Sequence, residues 1–233
     1  MRLLLKLKNE LSNLLLRLKA LFHKPSIAVV HNVDFISQFA NPNWAEKVLK
    51  DGWPKTSDPD WTLSGATALQ EYEKWVTTIC GMACTAMALK YFYNQNHQTI
   101  TLASDALQKK VYREAKHELS DMHYNEYVTW IAGYHMSATS YSRLSLSGIR
   151  HILSKGGLAI VSVSPNIRGY QTAPLTQYGG HLILVTGYSD ASGTITIQNP
   201  SGFVSQNTHH NHTLSYKNFS LFFAGRGIAV FKQ

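Results

Sequence analysis

Leu4, Leu7, Leu11, Leu14, Leu15, Leu18 and Leu21 recur at helical spacing, with Lys, Arg, Asn and Glu between them. This pattern predicts an amphipathic helix that Pro25 stops. Further along, apolar positions predict a helix over Cys80–Tyr93, with Thr77 or Thr78 as its N-cap. Helices are also expected over Ala103–Glu118 and Asn125–Trp130, and a capped, glycine-stopped one over Ser145–Gly157.

The pattern then changes to short β-branched runs. Strands are expected at Leu158–Ser164, His181–Tyr188, Thr194–Gln198 and Ser220–Lys232, the last broken at Gly225-Arg226-Gly227. Ile27–Phe39 is expected to be extended. Ala40–Tyr72 is loop-like, yet its Trp44, Trp53 and Trp61 must bury somewhere, so it should be ordered. Helices first and strands later give an α+β class. The expected organisation is a basic N-terminal helix over residues 1–24 and one domain over 25–233.

The chain has 233 residues and a formal charge of +8. Much of the excess lies at the start, where Arg2, Lys6, Lys8, Arg17, Lys19 and Lys24 face a single acid, Glu10. The rest is spread thinly, without the basic-aromatic stripe of a nucleic-acid reader, so no nucleic acid is expected. The leading helix either docks on an anionic membrane or a partner, or packs on its own domain. No apolar run reaches the ~20 residues of a membrane span, and the interrupted leucines do not make a signal peptide. Two cysteines are too few for a disulfide framework. A cytoplasmic protein, peripheral to a membrane if the helix docks there, is the expectation.

The chemistry begins with those cysteines, Cys80 and Cys84. Four apart on a helix, they share a face, and their spacing fits neither a CxxC site nor an unstrained disulfide. Cys84 suits a buried core position. Cys80 falls at the first turn, where free N–H groups and the helix dipole favour a thiolate. Gly81 follows and removes side-chain bulk where a substrate backbone would approach.

A nucleophile needs a base, and the base an orienter. His181 opens an apolar strand behind Gly179 and Gly180. A hairpin centred on Asp190 sets it opposite Asn199, with Cβ atoms ~5 Å apart, unless a bulge shifts the register. His209-His210-Asn211-His212 is expected to be a solvated polar loop; neither metal nor cofactor is expected.

The segments Ile79–Cys84, Gly180-His181 through Thr186-Gly187-Tyr188, and Ile197-Gln198-Asn199-Pro200 resemble the bacteriocin-processing (double-glycine) peptidase-like group of papain-fold cysteine peptidases. The resemblance runs from about Val33 to the C-terminus. It implies a papain-like fold and a thiol peptidase acting on a peptide or protein. Cys80 would be nucleophile, His181 base and acid, and Asn199 orienter. It also implies an oxyanion-hole glutamine, for which Gln38 in Val33–Gln38 matches the family stretch; Gln70 lies nearer Cys80 but lacks that context. Two features depart from the family pattern: the Trp-rich segment separates Gln38 from Cys80, and Asn199 stands where Asp is commoner. Leader cleavage after a double glycine belongs to members fused to ABC transporters, and is not expected to carry over. The same residues also suit an acyltransferase or amidase, or a catalytically silent peptide-binding module.

Overall fold

The computed structural model describes residues 2–22, 28–114, 119–169 and 178–233. Its elements run α1 (Arg2–Phe22), β1 (Ala28–Val30), α2 (Trp44–Leu49), α3 (Leu69–Trp75), α4 (Cys80–Tyr93), α5 (Thr99–Gln108) and α6 (Tyr124–Trp130). Then follow β2 (Met136–Tyr141), α7 (Leu146–Ser154), β3 (Leu158–Val163), β4 (His181–Ser189), β5 (Thr194–Gln198), β6 (His212–Ser215), α8 (Tyr216–Phe222) and β7 (Phe223–Lys232). The class is α+β, as expected.

The strands form one antiparallel sheet in the order β2-β7-β3-β4-β5-β6, and β1 pairs with the far end of β4. β3 and most of β4 are buried on both faces, which explains why they read as continuous apolar runs rather than alternating ones. α4 packs against β3, β4 and β7. Eleven of its residues are buried, from Cys80 to Phe92. A helix apolar all round belongs inside the core, and this one carries its first residue to the mouth of a cleft beside the sheet.

Several boundaries depart from the sequence pattern. The N-cap of α4 is Ile79, with no side-chain cap bond, because the Thr78 hydroxyl donates to the Trp75 carbonyl at 3.0 Å. α5 starts earlier and ends at Gln108, not Glu118, and residues 115–118 lie outside the described residues. So does the stop expected at Pro25. α7 is capped as expected, Ser145 Oγ accepting from the Gly148 N–H at 3.1 Å. Ser220–Phe222 is helical, and the break expected at Gly225-Arg226-Gly227 is a bulge inside a continuous β7.

The Trp-rich segment holds α2 and α3, which its prolines and glycines obscured. Its order centres on buried Asp58, which accepts the Asn41 and Asp60 N–H groups at 3.1 Å each and the Tyr72 hydroxyl. Trp44 donates to Ser57 at 2.9 Å and meets Trp53 edge-on.

α1 lies on α7 and β2. Only Asn13 and Leu16 among its described side chains are buried. Asn13 donates to Ser142 Oγ at 2.9 Å, and Leu16 sits over Gly148. Leu7, Leu11, Leu14, Leu15 and Leu18 remain exposed. No helix among the described residues is long and apolar enough to cross a membrane.

Candidate active site

Cys80 is the first residue of α4 and His181 the first of β4; both line a cavity of about 350 Å³. That volume is at the small end of ligand-sized clefts. Tyr124, Ser162, Gly180 and Arg226 form part of the wall. The Tyr124 hydroxyl bonds Ser162 and Arg226. Gly179 and Gly180 have φ of +99° and +95°, a conformation few residues with a side chain adopt. A Cβ at Gly179 would collide with the Arg226 guanidinium and lie 3.0 Å from Ser162 Oγ.

His181 is 1 % exposed, and its Nε2 lies 2.8 Å from Asn199 Oδ1. The contact is not made by the expected pairing. The turn of the hairpin spans Asp190–Gly193, and Thr186 is an extra residue between the Val185–Ile197 and Gly187–Thr196 pairs. Continuing the observed register sets Ser201, not Asn199, opposite His181. Asn199 reaches the ring because the chain leaves the ladder after Gln198 and turns, Gly202 N–H donating to the Asn199 carbonyl at 3.0 Å. Ser201 Oγ stands 3.4 Å from the same Nε2.

The turn is fastened from two sides. Asn199 N–H donates to the His209 carbonyl at 2.7 Å, and Gln38 N–H to the Pro200 carbonyl at 2.8 Å. Gln198 Nε2 donates to the Val33 carbonyl at 2.8 Å and to Asn211 Oδ1 at 2.7 Å. The stretch Val33–Gln38 is thus stitched to Gln198–Pro200. His209 is no merely solvated loop residue: it is half-buried, meets Phe35 edge-on, and supplies the carbonyl that holds Asn199.

Gln38 is fully buried, with Nε2 donating one hydrogen to the Val76 carbonyl at 2.7 Å. Gln70 is exposed on α3. Gly81 serves packing rather than an open approach: a Cβ there would lie 2.6 Å from Met122 Sδ and 3.1 Å from Leu182 Cδ1. Cys84 is fully buried one turn deeper, its thiol 3.7 Å from the Leu182 carbonyl.

The electrostatics correct one expectation. Burial pushes the Cys80 thiol above its ordinary value, and outweighs the Leu182 and Gly81 N–H groups and the Arg168 charge, which pull it down. Burial also holds His181 well below the usual imidazole range; Arg168 adds to this, and the Asn199 bond opposes it. Both shifts favour thiol and neutral imidazole over a thiolate–imidazolium pair in the free site. Arg168 and Ser201 were not anticipated; an arginine four residues beyond a strand carries no motif by itself.

The model of the Peptidase_C39 like family matches residues 31–225. No curated protein matches the chain. Among solved structures, the peptidase domain of Streptococcus ComA, a bi-functional ABC transporter of a quorum-sensing pathway, is 16 % identical with a TM-score of 0.44. The match covers 67 % of this chain and 93 % of that domain. A double-glycine-motif protease from an AMS/PCAT transporter, solved with its leader peptide, is 14 % identical with a TM-score of 0.45, over 87 % of this chain and 92 % of that one. The family model spans most of the described cleft, both cysteines, His181 and Asn199, and the chain belongs to the Peptidase_C39 like family of cysteine peptidases.

Proposed function

We propose that residues 25–233 form a peptidase domain that hydrolyses a peptide bond through Cys80, His181 and Asn199, with residues 1–24 as an appendage. The observation that carries this reading is the placing of Cys80 and His181 on the wall of one cavity, with His181 Nε2 2.8 Å from Asn199 Oδ1. With Nε2 committed to Asn199, Nδ1 is the basic nitrogen. It takes the thiol proton as the Cys80 sulfur attacks the substrate carbonyl carbon. The oxyanion is met by the Cys80 backbone N–H, free at the helix start, and by the second Nε2 hydrogen of Gln38. The imidazolium then protonates the departing amine, leaving a thioester at Cys80. Water, deprotonated by His181, hydrolyses the thioester and restores the thiol.

The backbone around Gly179 and Gly180 suits an extended peptide lying along the start of β4. Peptide-library cleavage by the wild type beside Cys80→Ala tests the assignment: turnover should vanish with folding intact, and cleavage surviving in the variant sinks it. An acyltransferase or amidase would use the same first half-reaction, and added amines would then compete with water for the thioester. In a silent binding module, a thiol-directed electrophile would label Cys80 no faster than Cys84.

The exposed leucines of α1 favour a second, compatible reading. Beside Arg17 and Lys19 they suit attachment of the domain to an anionic membrane surface.

A further inference from the structure

The His181 ring is contacted at both nitrogens. Nε2 faces Asn199 Oδ1 at 2.8 Å, while Nδ1 faces Arg168 Nη2 at 3.4 Å. Arg168 Nε donates to Ser201 Oγ at 2.8 Å, and that hydroxyl lies 3.4 Å from His181 Nε2. One guanidinium therefore spans the far side of the ring and the hydroxyl beside its near side. Its main chain is fixed as well, the Arg168 carbonyl accepting the Phe203 N–H at 3.3 Å and the Thr208 hydroxyl. Among the described residues no carboxylate pairs with Arg168, and its charge favours the thiolate form of the neighbouring Cys80.

An aspartate beside a histidine accepts only, so it fixes the neighbouring ring nitrogen as N–H. An asparagine presents an acceptor at one end and a donor at the other. Asn199 Nδ2 is buried and has no partner among the described residues, so no second bond anchors which end faces His181. A guanidinium resolves this from the opposite side, because it donates on every edge and accepts nothing. A protonated Nδ1 would set N–H against N–H, whereas a bare Nδ1 lone pair is attracted. At 3.4 Å that attraction is too long a contact to hold the lone pair against the Cys80 proton.

We propose that Arg168 is a positioning residue of this site, selecting the His181 tautomer with Nε2 protonated and Nδ1 bare, and so completing what an amide at Asn199 does only in part. The inference rests on the Cys80–His181 assignment made above. It also makes Arg168 a standing cation beside the nucleophile. Asp121 opposes that effect on Cys80, and the neighbouring Cys84, Tyr112 and Tyr124, which a Cys80 charge would push up, are neutral near pH 7. The directions found at both catalytic groups agree: Arg168 lowers the Cys80 thiol and lowers His181.

The test is ring-nitrogen NMR on the full chain labelled with [15N]histidine, with His181 identified by its loss in His181→Gln. Wild type should show the Nε2–H tautomer, and Arg168→Gln a mixture or the Nδ1–H form. Asn199→Asp added to Arg168→Gln should restore Nε2–H, because a carboxylate only accepts. In parallel, iodoacetamide alkylation of Cys80 at pH 7, separated from Cys84 by peptide mass, should slow about tenfold in Arg168→Gln, one pKa unit's worth. Arg168→Lys should keep most of that rate. An unchanged tautomer in Arg168→Gln overturns the proposal, whatever happens to alkylation. Should Arg168→Gln not fold, Ser201→Ala frees the guanidinium and must shift the same resonances; unshifted resonances there overturn it equally. Cleavage surviving in Cys80→Ala would instead overturn the nucleophile and leave the tautomer result standing.

Discussion

His181 Nε2 and Asn199 Oδ1 meet at 2.8 Å although the strand register, continued past its last pair at Gln198, would set Ser201 and not Asn199 opposite the histidine. The contact depends on the turn at Asn199–Gly202 and on the His209 carbonyl that holds the Asn199 N–H. Asn199→Ala should therefore lower kcat by about 10²-fold, the scale of a misplaced general base, with KM nearly unchanged. Asn199→Asp should retain activity, since a carboxylate oxygen accepts the same hydrogen. Steady-state kinetics on a cleaved library peptide check both. Equal losses in the two variants would point to the turn rather than the acceptor.

Gly81 sits against Met122, Leu182 and Tyr112, with no room for a methyl group. Gly81→Ala should cost roughly 1–3 kcal/mol by overpacking. The nearest atom is the sulfur at the end of a flexible side chain, so Met122→Ala added to Gly81→Ala should recover part of the loss. Urea denaturation of the single and double variants measures this, and additive losses would exclude Met122 as the obstacle.

Acidification should destabilise the fold before it reaches any carboxylate. His181 is buried and neutral, with its folded-state pKa held well below the unfolded value of about 6.5. The unfolded chain then binds more protons below that pH, so stability is full above it and falls as pH drops. The slope is up to about 1.4 kcal/mol per pH unit for this one group. Half-buried His31 and His212 are shifted the same way by burial. At the alkaline end Cys84, raised by burial, acts with the opposite sign: its contribution is full below about pH 8.5 and is lost as pH rises beyond it. Tm measured from pH 5 to 9 should be a plateau with both shoulders falling. His181→Gln should flatten the acid shoulder, and an unchanged shoulder in that variant would remove His181 as its source.

Much of this site could be read along the chain because its chemistry sits at element starts. A cysteine opening a buried helix and a histidine opening an apolar strand stand out against their own surroundings. What stayed hidden was pairing geometry: Thr186 adds a residue to β4 without changing its composition, and the hairpin turn is longer than Asp190 alone suggests. The Asn199 contact survived the wrong register because the side chain acts from a turn, not from the ladder. Arg168 and Ser201 were invisible for a different reason. Their roles exist only after segments on either side of β4 fold together, and neither residue type is unusual where it stands. α2 and α3 were masked by neighbouring prolines and glycines, although the buried Asp58 cluster orders them.

The leucines of α1 divide by burial, and that division makes a separable prediction. Leu16 is 7 % exposed over Gly148, whereas Leu7, Leu11 and Leu14 are 55–60 % exposed and Leu18 43 %. Leu16→Ser should destabilise the domain by roughly 2–3 kcal/mol through lost burial. Serines at Leu7, Leu11, Leu14 and Leu18 replace mostly exposed side chains, Leu18 alone lining a groove against α7, and should lower Tm far less than Leu16→Ser. If the outer face binds membranes, the full chain should sediment with vesicles containing phosphatidylserine at low ionic strength and release at about 0.5 M salt, where screening shortens electrostatic reach to a few ångströms. The four outer serines should abolish sedimentation, and Leu16→Ser should not, below its melting temperature. Sedimentation that persists with the four serines would show that the basic charge alone, or another surface, carries the attachment, leaving the exposed leucines for a protein partner.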